Sequence, residues 1–352
     1  MKREEIVEIC EREVLNKAAK LFNTTKGNLN KFQDYEGAAN LVYQYEVNGQ
    51  PRILRLSFRP DRSVEQIQAE LHFVEYLGNQ GVRVSMPVAS QNGILLELIQ
   101  SEGIQFHIAA FIKGKGIRVP DNGYRYRDDA PIEEYFQNWG QMLGKMHCVT
   151  KGYQPLSSHI KRPEWFELHK NRLELTQQFP NELKVVRDRI QSTIQELKSL
   201  PKDRDSYGLI HGDFNDGNFT VNYSNGEITV FDFDDSCYFW FMYELASAWE
   251  GGIGRTMFKN LNDRKSFMDR YMDQVLEGYD RENVLSDDWL GRLPLFIRLI
   301  QMEELLHYIQ YLGNPDQEMQ SKIHYKIKCI EEQIPYLGFF DSIYSPQKPF
   351  SI

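Results

Sequence analysis

The chain is poor in the residues that mark several common protein classes. It has four cysteines, Cys10, Cys148, Cys237 and Cys329, and none forms a Cys-x-x-Cys pair. That spacing excludes a disulfide framework and a zinc ribbon, and suits the reduced thiols of a cytoplasmic protein. The eight histidines are dispersed, so no zinc-ligand pattern exists. No run approaches the ~18 apolar residues of a membrane span, and Met1-Lys2-Arg3-Glu4-Glu5 lacks a signal peptide's apolar core. Basic surplus is missing as well. Lys and Arg number 41 against 50 Asp and Glu, a net charge of −9, which argues against nucleic acid as the main partner. Internal repeats and low-complexity tracts are absent. What remains is a chain of 352 residues, 41% hydrophobic and 13% aromatic, long enough for one large or two modest domains with a sizeable core.

One stretch stands out, Leu209 to Ser236. It opens Leu209-Ile210-His211-Gly212-Asp213-Phe214-Asn215-Asp216-Gly217-Asn218. An apolar strand pattern, Phe219-Thr220-Val221, precedes a Ser224-Asn225-Gly226 turn, and Ile228-Thr229-Val230-Phe231 leads back into Asp232-Phe233-Asp234-Asp235. Two β-branched and aromatic runs around Asn-Gly predict a hairpin. Folding that hairpin returns Asp232 close to Asn218, so Asp213, Asn218 and Asp232 converge at one end of a small sheet. Hard oxygen ligands such as a carboxylate and an amide carbonyl suit Mg²⁺ sharing substrate phosphates. A further carboxylate, Asp213, is placed to take a hydroxyl proton. The trio therefore predicts phosphoryl transfer, with the spacing His-x-Asp, four residues, Asn, and then a later Asp. The competing reading is of turn formers followed by a solvated acidic turn, which leaves an apolar strand running directly into three acids unexplained.

His211-Gly212-Asp213 to Asn218, followed by Phe231-Asp232-Phe233, resembles the aminoglycoside phosphotransferase and choline kinase family, over roughly residues 25 to 310. The resemblance implies an α+β, bilobal protein-kinase-like fold, with a mainly β lobe over 1–113 and a mainly helical lobe over 114–352. It implies ATP and Mg²⁺ as cofactors and a small-molecule hydroxyl acceptor as partner. Asp213 becomes the expected base, and Asn218 and Asp232 the expected metal ligands. Gly212 stands where protein kinases carry Arg.

The rest of the chain is legible against that expectation. Residues 3 to 22 predict one amphipathic helix, with Ile6, Cys10, Val14, Ala18 and Leu21 at helical spacing. Residues 28 to 58 predict three strands, two of them joined at Asn48-Gly49. The segment Asp34 to Asn40, with Gly37 and Asn40, sits where the family carries its nucleotide-covering loop. Strand residue Arg55 occupies the position of the kinase lysine that grips the α/β-phosphates, and a guanidinium can do so bidentately. Glu70, beside the apolar face of a helix over 64–78, is the expected partner of Arg55, with Glu65 the alternative. Strands are predicted at 82–89 and 94–99, joined by Gln91-Asn92-Gly93, and at 105–112. The last ends in Phe111-Ile112-Lys113-Gly114, which resembles the family's hinge, where backbone groups would contact adenine near Ile112 and Gly114. Beyond Ile132 the chain predicts helices: Phe136, Trp139, Leu143 and Met146 on one stripe, two charged helices over 164–200, a buried one over 238–249, and three more over 263–278, 287–312 and 316–333. His147 reads as a core or cap histidine. Glu244 stands where the family more often has an Asp that braces the catalytic loop.

The acids left over, Asp216, Asp234, Asp235, Glu244 and Glu250, predict a negative wall for a neutral or cationic acceptor. Glu303-Glu304 to His307 faces solvent or the acceptor cleft, with solvent favoured by the charge run. The rivals are a protein Ser/Thr kinase, for which no Ala-Pro-Glu follows Asp232, and a nucleotide-binding pseudokinase, for which all three base and metal positions are filled.

Overall fold

The computed structural model describes residues 2–32, 40–253, 261–311 and 316–334. Gly37 and the tail from Pro335 lie outside the described residues. The amino-terminal periodicity gives two helices, α1 (Arg3–Ile9) and α2 (Leu15–Leu21), joined by one π-helical stretch at Cys10–Val14 rather than one continuous α-helix. The reason is visible in the spacing. Cys10, Val14, Ala18 and Phe22 recur every four residues, slightly longer than the α period. A wider π turn keeps that stripe on one side, and all four are buried against the first sheet.

That sheet holds β1 (Asn30–Lys31), β2 (Asn40–Val47), β3 (Gln50–Ser57), β4 (Pro87–Val88), β5 (Glu97–Ser101) and β6 (Ile104–Ile112). Its order is β1-β2-β3-β6-β4, with β5 also on β6, and every pair is antiparallel. Asn48 and Gly49 both have positive φ (52° and 77°), as a two-residue hairpin turn requires. The strands expected at 82–89 and 94–99 do not pair with each other. Strand β6 is long enough for β4 and β5 to bond along successive parts of it. Helix α3 (Val64–Asn79) packs on the sheet and starts at a capping box in which Ser63 accepts from Gln66 N–H and Gln66 answers.

The chain then becomes helical. Helix α4 (Ile132–Thr150) buries the predicted Phe136, Trp139, Leu143 and Met146. The first charged segment after Glu164 breaks into α5 (Trp165–Leu168) and α6 (Lys170–Glu174), followed by α7 (Lys184–Lys198). Strands β7 (Tyr207–Ile210), β8 (Phe219–Val221), β9 (Ile228–Val230) and β10 (Cys237–Trp240) form two small antiparallel pairs, β7 with β10 and β8 with β9. The helix expected from Tyr238 therefore starts only at α8 (Met242–Ile253), because Cys237–Trp240 is spent on β7. Helices α9 (Leu261–Asp280), α10 (Asp287–Leu290), α11 (Leu293–Tyr311) and α12 (Gln317–Glu332) complete the described chain. Helix α9 crosses α4 at Gly140 and Gly144. A Cβ at those positions would lie 1.8 Å from the Val275 carbonyl oxygen and 2.5 Å from that of Tyr279, so only glycine admits this approach. The crossing seats α4, with Trp139 and Leu143, beneath the loop that follows β7.

Candidate active site

Strand β7 delivers His211 and Asp213 to the cleft between sheet and helices. His211 is buried. Its Nε2 lies 3.0 Å from the Phe231 carbonyl, an acceptor only, so Nε2 carries the hydrogen and Nδ1 accepts from the Asp213 N–H at 3.2 Å. The imidazole thus ties the Asp213 loop to the residue before Asp232. A second tie is direct, the Phe231 N–H donating to the Asn218 carbonyl at 2.9 Å. Gly212 has φ +88°, and a Cβ there would meet the Asp235 carbonyl oxygen at 2.2 Å. A side chain at this position, such as the protein-kinase Arg, is excluded by the neighbouring acidic loop.

Asp213 opens into the cleft. Its Oδ1 accepts from Asn215 Nδ2 and its Oδ2 from Asn218 Nδ2, both at 2.8 Å. Desolvation pushes its carboxyl up from the usual range, with His211 opposing and Asp235 adding to the rise. Because Asn218 spends its amide nitrogen on Asp213, its carbonyl oxygen is left for another partner. Asp232 has φ +64°, an uncommon conformation for a residue with a side chain. Although open to the cleft, Asp232 is hemmed in by protein, and its carboxyl is pushed up to about 7, first by desolvation and then by Asp234. A cation is what such a carboxylate lacks. Among the described residues no group of three or more His, Cys, Asp or Glu forms a metal cage. One carboxylate plus one amide oxygen instead fits Mg²⁺ that takes its remaining ligands from phosphates and water.

Across the cleft, Arg55 meets Glu70 in a two-pronged ion pair, Nη1 to Oε1 at 2.7 Å and Nη2 to Oε2 at 3.0 Å. Glu65, the alternative partner, is exposed. Phe111 packs its ring 5.1 Å from the Arg55 guanidinium. Arg55 also reaches Asp234 at 3.3 Å, and Asp234 accepts from Asn40 Nδ2 at 3.0 Å. The amide oxygen of Asn40 is buried without a partner. At the hinge, the Ile112 N–H donates to Met86 at 2.8 Å and the Lys113 N–H to Pro51 at 3.0 Å. Those two donors are spent inside the sheet, and Gly114 is seated against Thr220 and Thr229 of the β8–β9 hairpin.

The expected negative wall is redistributed. Asp234 is held well below the usual carboxylate range, burial being outweighed by Arg55, Asn40 and further arginines, with Arg59 at 3.6 Å. Asp235 pairs with Arg62 at 2.6 Å, and Asp216 accepts from the Tyr135 hydroxyl. Glu244 is buried; its Oε1 accepts from the Gly212 N–H at 3.0 Å and its Oε2 lies 2.7 Å from His147 Nε2. It is a loop brace rather than an acceptor contact, and the added methylene relative to Asp is what lets it reach His147 as well. His147 is the core histidine expected, stacked on Phe241 and bonded to Tyr279. Glu250 is half-buried, pushed up by burial first and then by Glu304, with Lys326 opposing. Glu303 is buried rather than solvated.

Arg162 was invisible in the sequence. Its buried guanidinium donates to three main-chain carbonyls, Ser236 at 2.7 Å, Gln66 at 3.0 Å, and Asp234. It fastens α3, which carries Glu70, to the loop that carries Asp232. No local pattern marks an arginine whose partners are all backbone atoms. Arg59 and Arg62 were missed similarly, lying in the turn before α3 with acids more than 170 positions away.

Comparison with known proteins places these features in a group. The family described as "Phosphotransferase enzyme family" matches residues 33–285. Amicoumacin kinase of Bacillus subtilis (strain 168) is 30% identical over 332 residues, covering 94% of each chain. A solved amicoumacin kinase in complex with AMP-PNP, Ca²⁺ and Ami superimposes with a TM-score of 0.83 at 30% identity, over 97% of this chain and 99% of that one. A microcompartment-associated aminopropanol kinase shares the fold, with a TM-score of 0.66 at 19% identity over 92% and 95% of the two chains.

Proposed function

Because the chain belongs to the phosphotransferase enzyme family, we propose that it transfers the γ-phosphoryl of Mg-ATP to a hydroxyl of a small, neutral or cationic molecule. The observation that carries this reading is the double tie between the Asp213–Asn218 loop and Phe231-Asp232, through His211 and through the Asn218 carbonyl. That double tie supports reading Asp213 as a base beside two metal-competent oxygens, those of Asn218 and Asp232.

Asp213 orients the acceptor hydroxyl and takes its proton. The two amides on its carboxylate fix the side chain, and its raised pKa brings it closer to the range in which a base works at neutral pH. Asn218, through its carbonyl, and Asp232 would hold Mg²⁺, which when bound neutralises phosphate charge. Arg55 has five N–H donors and Glu70 takes two of them at close range. Phosphate oxygens entering the cleft compete with Asp234 for the longer contact. Gly114 offers main chain to adenine, and Asn40, at the start of β2, stands beside Arg55 at the phosphate end. Gly37 belongs to the same proposed nucleotide contact. The lobe boundary falls at 113/114, where β6 has ended and the hinge begins. Amicoumacin is the first acceptor to try, since the relative at 30% identity is named for it.

The test is calorimetric titration with Mg-AMP-PNP, followed by an ATP-consumption screen on amicoumacin, amino alcohols, sugars and aminoglycosides. A hundredfold excess of nucleotide over Kd should stabilise the fold by about 2.7 kcal/mol. Nucleotide binding indifferent to Mg²⁺, or ATP consumption indifferent to every hydroxyl compound, would count against the reading.

A further inference from the structure

Glu303 on α11 and His169 between α5 and α6 face each other at 3.2 Å, Nε2 to Oε1. The His169 Nδ1 lies 3.0 Å from the Trp165 carbonyl oxygen. That oxygen only accepts, so Nδ1 carries a hydrogen. Burial pushes His169 down to about 4, so near neutral pH the ring is neutral and Nε2 is a bare lone pair. A bare nitrogen opposite a carboxylate oxygen is repulsive unless a proton lies between them. Burial pushes the Glu303 carboxyl up to about 8, and its O–H supplies that proton. The Tyr243 hydroxyl is the other group that engages this carboxyl. His169 Nε2 and Glu303 Oε1 are thus held together with one hydrogen between them, while Glu303 and His169 keep 10% and 16% of their side-chain surface open.

The surroundings define what fits. His169 stacks on Trp165 at 4.3 Å, which fixes the ring. Tyr243, half-buried on α8, hydrogen-bonds Glu303 and has Asp213 among its charged neighbours, which links this pair to the Asp213 end of the cleft. Ser247 and Glu250 follow Tyr243 at helical spacing, and both are half-buried. The charged groups facing Glu303 from the packed elements are Arg172, Glu304 and Asp235; Arg172, Asp235 and Arg62 face His169.

We propose that Glu303 and His169 are the acceptor's ammonium seat: a primary ammonium donates one N–H to His169 Nε2 and others to the Glu303 carboxylate, whose proton leaves to solvent. The proposal rests on the small-hydroxyl-acceptor reading and narrows it to primary amino alcohols. Glu303 is a specificity residue here, and it takes no part in the transfer itself. Amine binding releases one proton below about pH 8, so acceptor KM falls as pH rises toward 8. A carboxylate-bearing acceptor is rejected by the same acceptor pair.

The test uses Glu303→Gln, whose amide imitates the protonated acid toward His169, and His169→Phe, which keeps the stack on Trp165 and removes Nε2. Infrared difference spectra of the full chain at pH 7 should contain a protonated-carboxyl band that is lost in Glu303→Gln. Adding 1-amino-2-propanol should remove the same band, while 1,2-propanediol leaves it. Steady-state kinetics on the amine acceptor turned over best should show KM raised roughly 10- to 100-fold in Glu303→Gln, the share of a charge-assisted hydrogen bond. The pH dependence of KM should flatten, with kcat and nucleotide affinity unchanged. A band indifferent to the amine, or equal acceptor KM in wild type and Glu303→Gln, overturns the proposal. Absence of turnover on every hydroxyl compound by the wild type overturns the reading beneath it, which is a different result.

Discussion

The pair Arg55–Glu70 gives the sharpest energetic prediction. Both side chains are buried, Arg55 at 7% and Glu70 at 1% exposure, and two N–H···O bonds of 2.7 and 3.0 Å join them. Removing one member of such a pair usually costs ~3–5 kcal/mol because the other charge is left buried. Here Arg55 keeps Asp234 at 3.3 Å, so the loss for Glu70→Ala should fall at the low end, about 3 kcal/mol. Glu70→Gln, which still accepts one bond, should lose about 1–2 kcal/mol. A double-mutant cycle of Arg55→Met and Glu70→Met should return a coupling of about 2 kcal/mol. Urea unfolding of the four proteins measures it. The functional arm follows from the same geometry: Arg55 freed from Glu70 swings to Asp234, and nucleotide KM rises in Glu70→Ala more than acceptor KM does. Arg55→Lys should be milder than Arg55→Ala. A cost below about 0.5 kcal/mol for Glu70→Ala, with a coupling near zero, would refute the claim that this pair holds α3 to the sheet.

Three further outcomes follow from the site. Asp213→Asn should lower kcat roughly 10²–10⁴-fold with Mg-nucleotide affinity intact by calorimetry; unchanged turnover would remove Asp213 from the chemistry. Asp232, pushed up to about 7, is protonated in the nucleotide-free fold below that pH, and the ionised form is the one that binds metal. Mg-dependent nucleotide affinity should therefore rise between pH 6 and 8, with proton release on binding. By linkage, a raised carboxyl favours the fold at low pH and that contribution is lost as pH rises through about 7, so Asp232→Asn should flatten both dependences in a thermal-shift series. Glu244→Asp should cut turnover about tenfold, since the shorter acid cannot reach Gly212 and His147 together, and wild-type rates would show that the longer side chain is not needed.

How much of this the sequence carried depends on how local each feature is. The hairpin that returns Asp232 to Asn218 is written in consecutive residues, and so is the Arg55 strand, which runs directly into the helix that carries Glu70. The Glu70 partnership followed from the kinase pattern of a strand cation paired with a helix Glu, with helix periodicity placing Glu70 ahead of Glu65. The π-helical stretch at Cys10–Val14 was also written, in a four-residue repeat that the α template absorbed too readily. The extra acids were misassigned for a different reason. Local reading shows that Asp234 and Asp235 follow Asp232, but not that Arg55, Arg59 and Arg62 fold over from the other lobe to neutralise them. Arg162 serves main-chain carbonyls and leaves no trace in residue type. Glu303 looked like part of a charge run, and only the packing of α11 against α8 and α6 takes it out of solvent.

The central claim is that the phosphoryl group passes from nucleotide to a hydroxyl oxygen at Asp213. Its most direct test is mass spectrometry and phosphorus NMR of the products after incubating the purified chain with Mg-ATP and amicoumacin. The account predicts a phosphate monoester on the acceptor, formed one for one with ADP, dependent on Mg²⁺ and abolished to within 10²–10⁴-fold by Asp213→Asn. ATP cleaved only to ADP and inorganic phosphate, or phosphate recovered on a protein side chain instead of the small molecule, would contradict it.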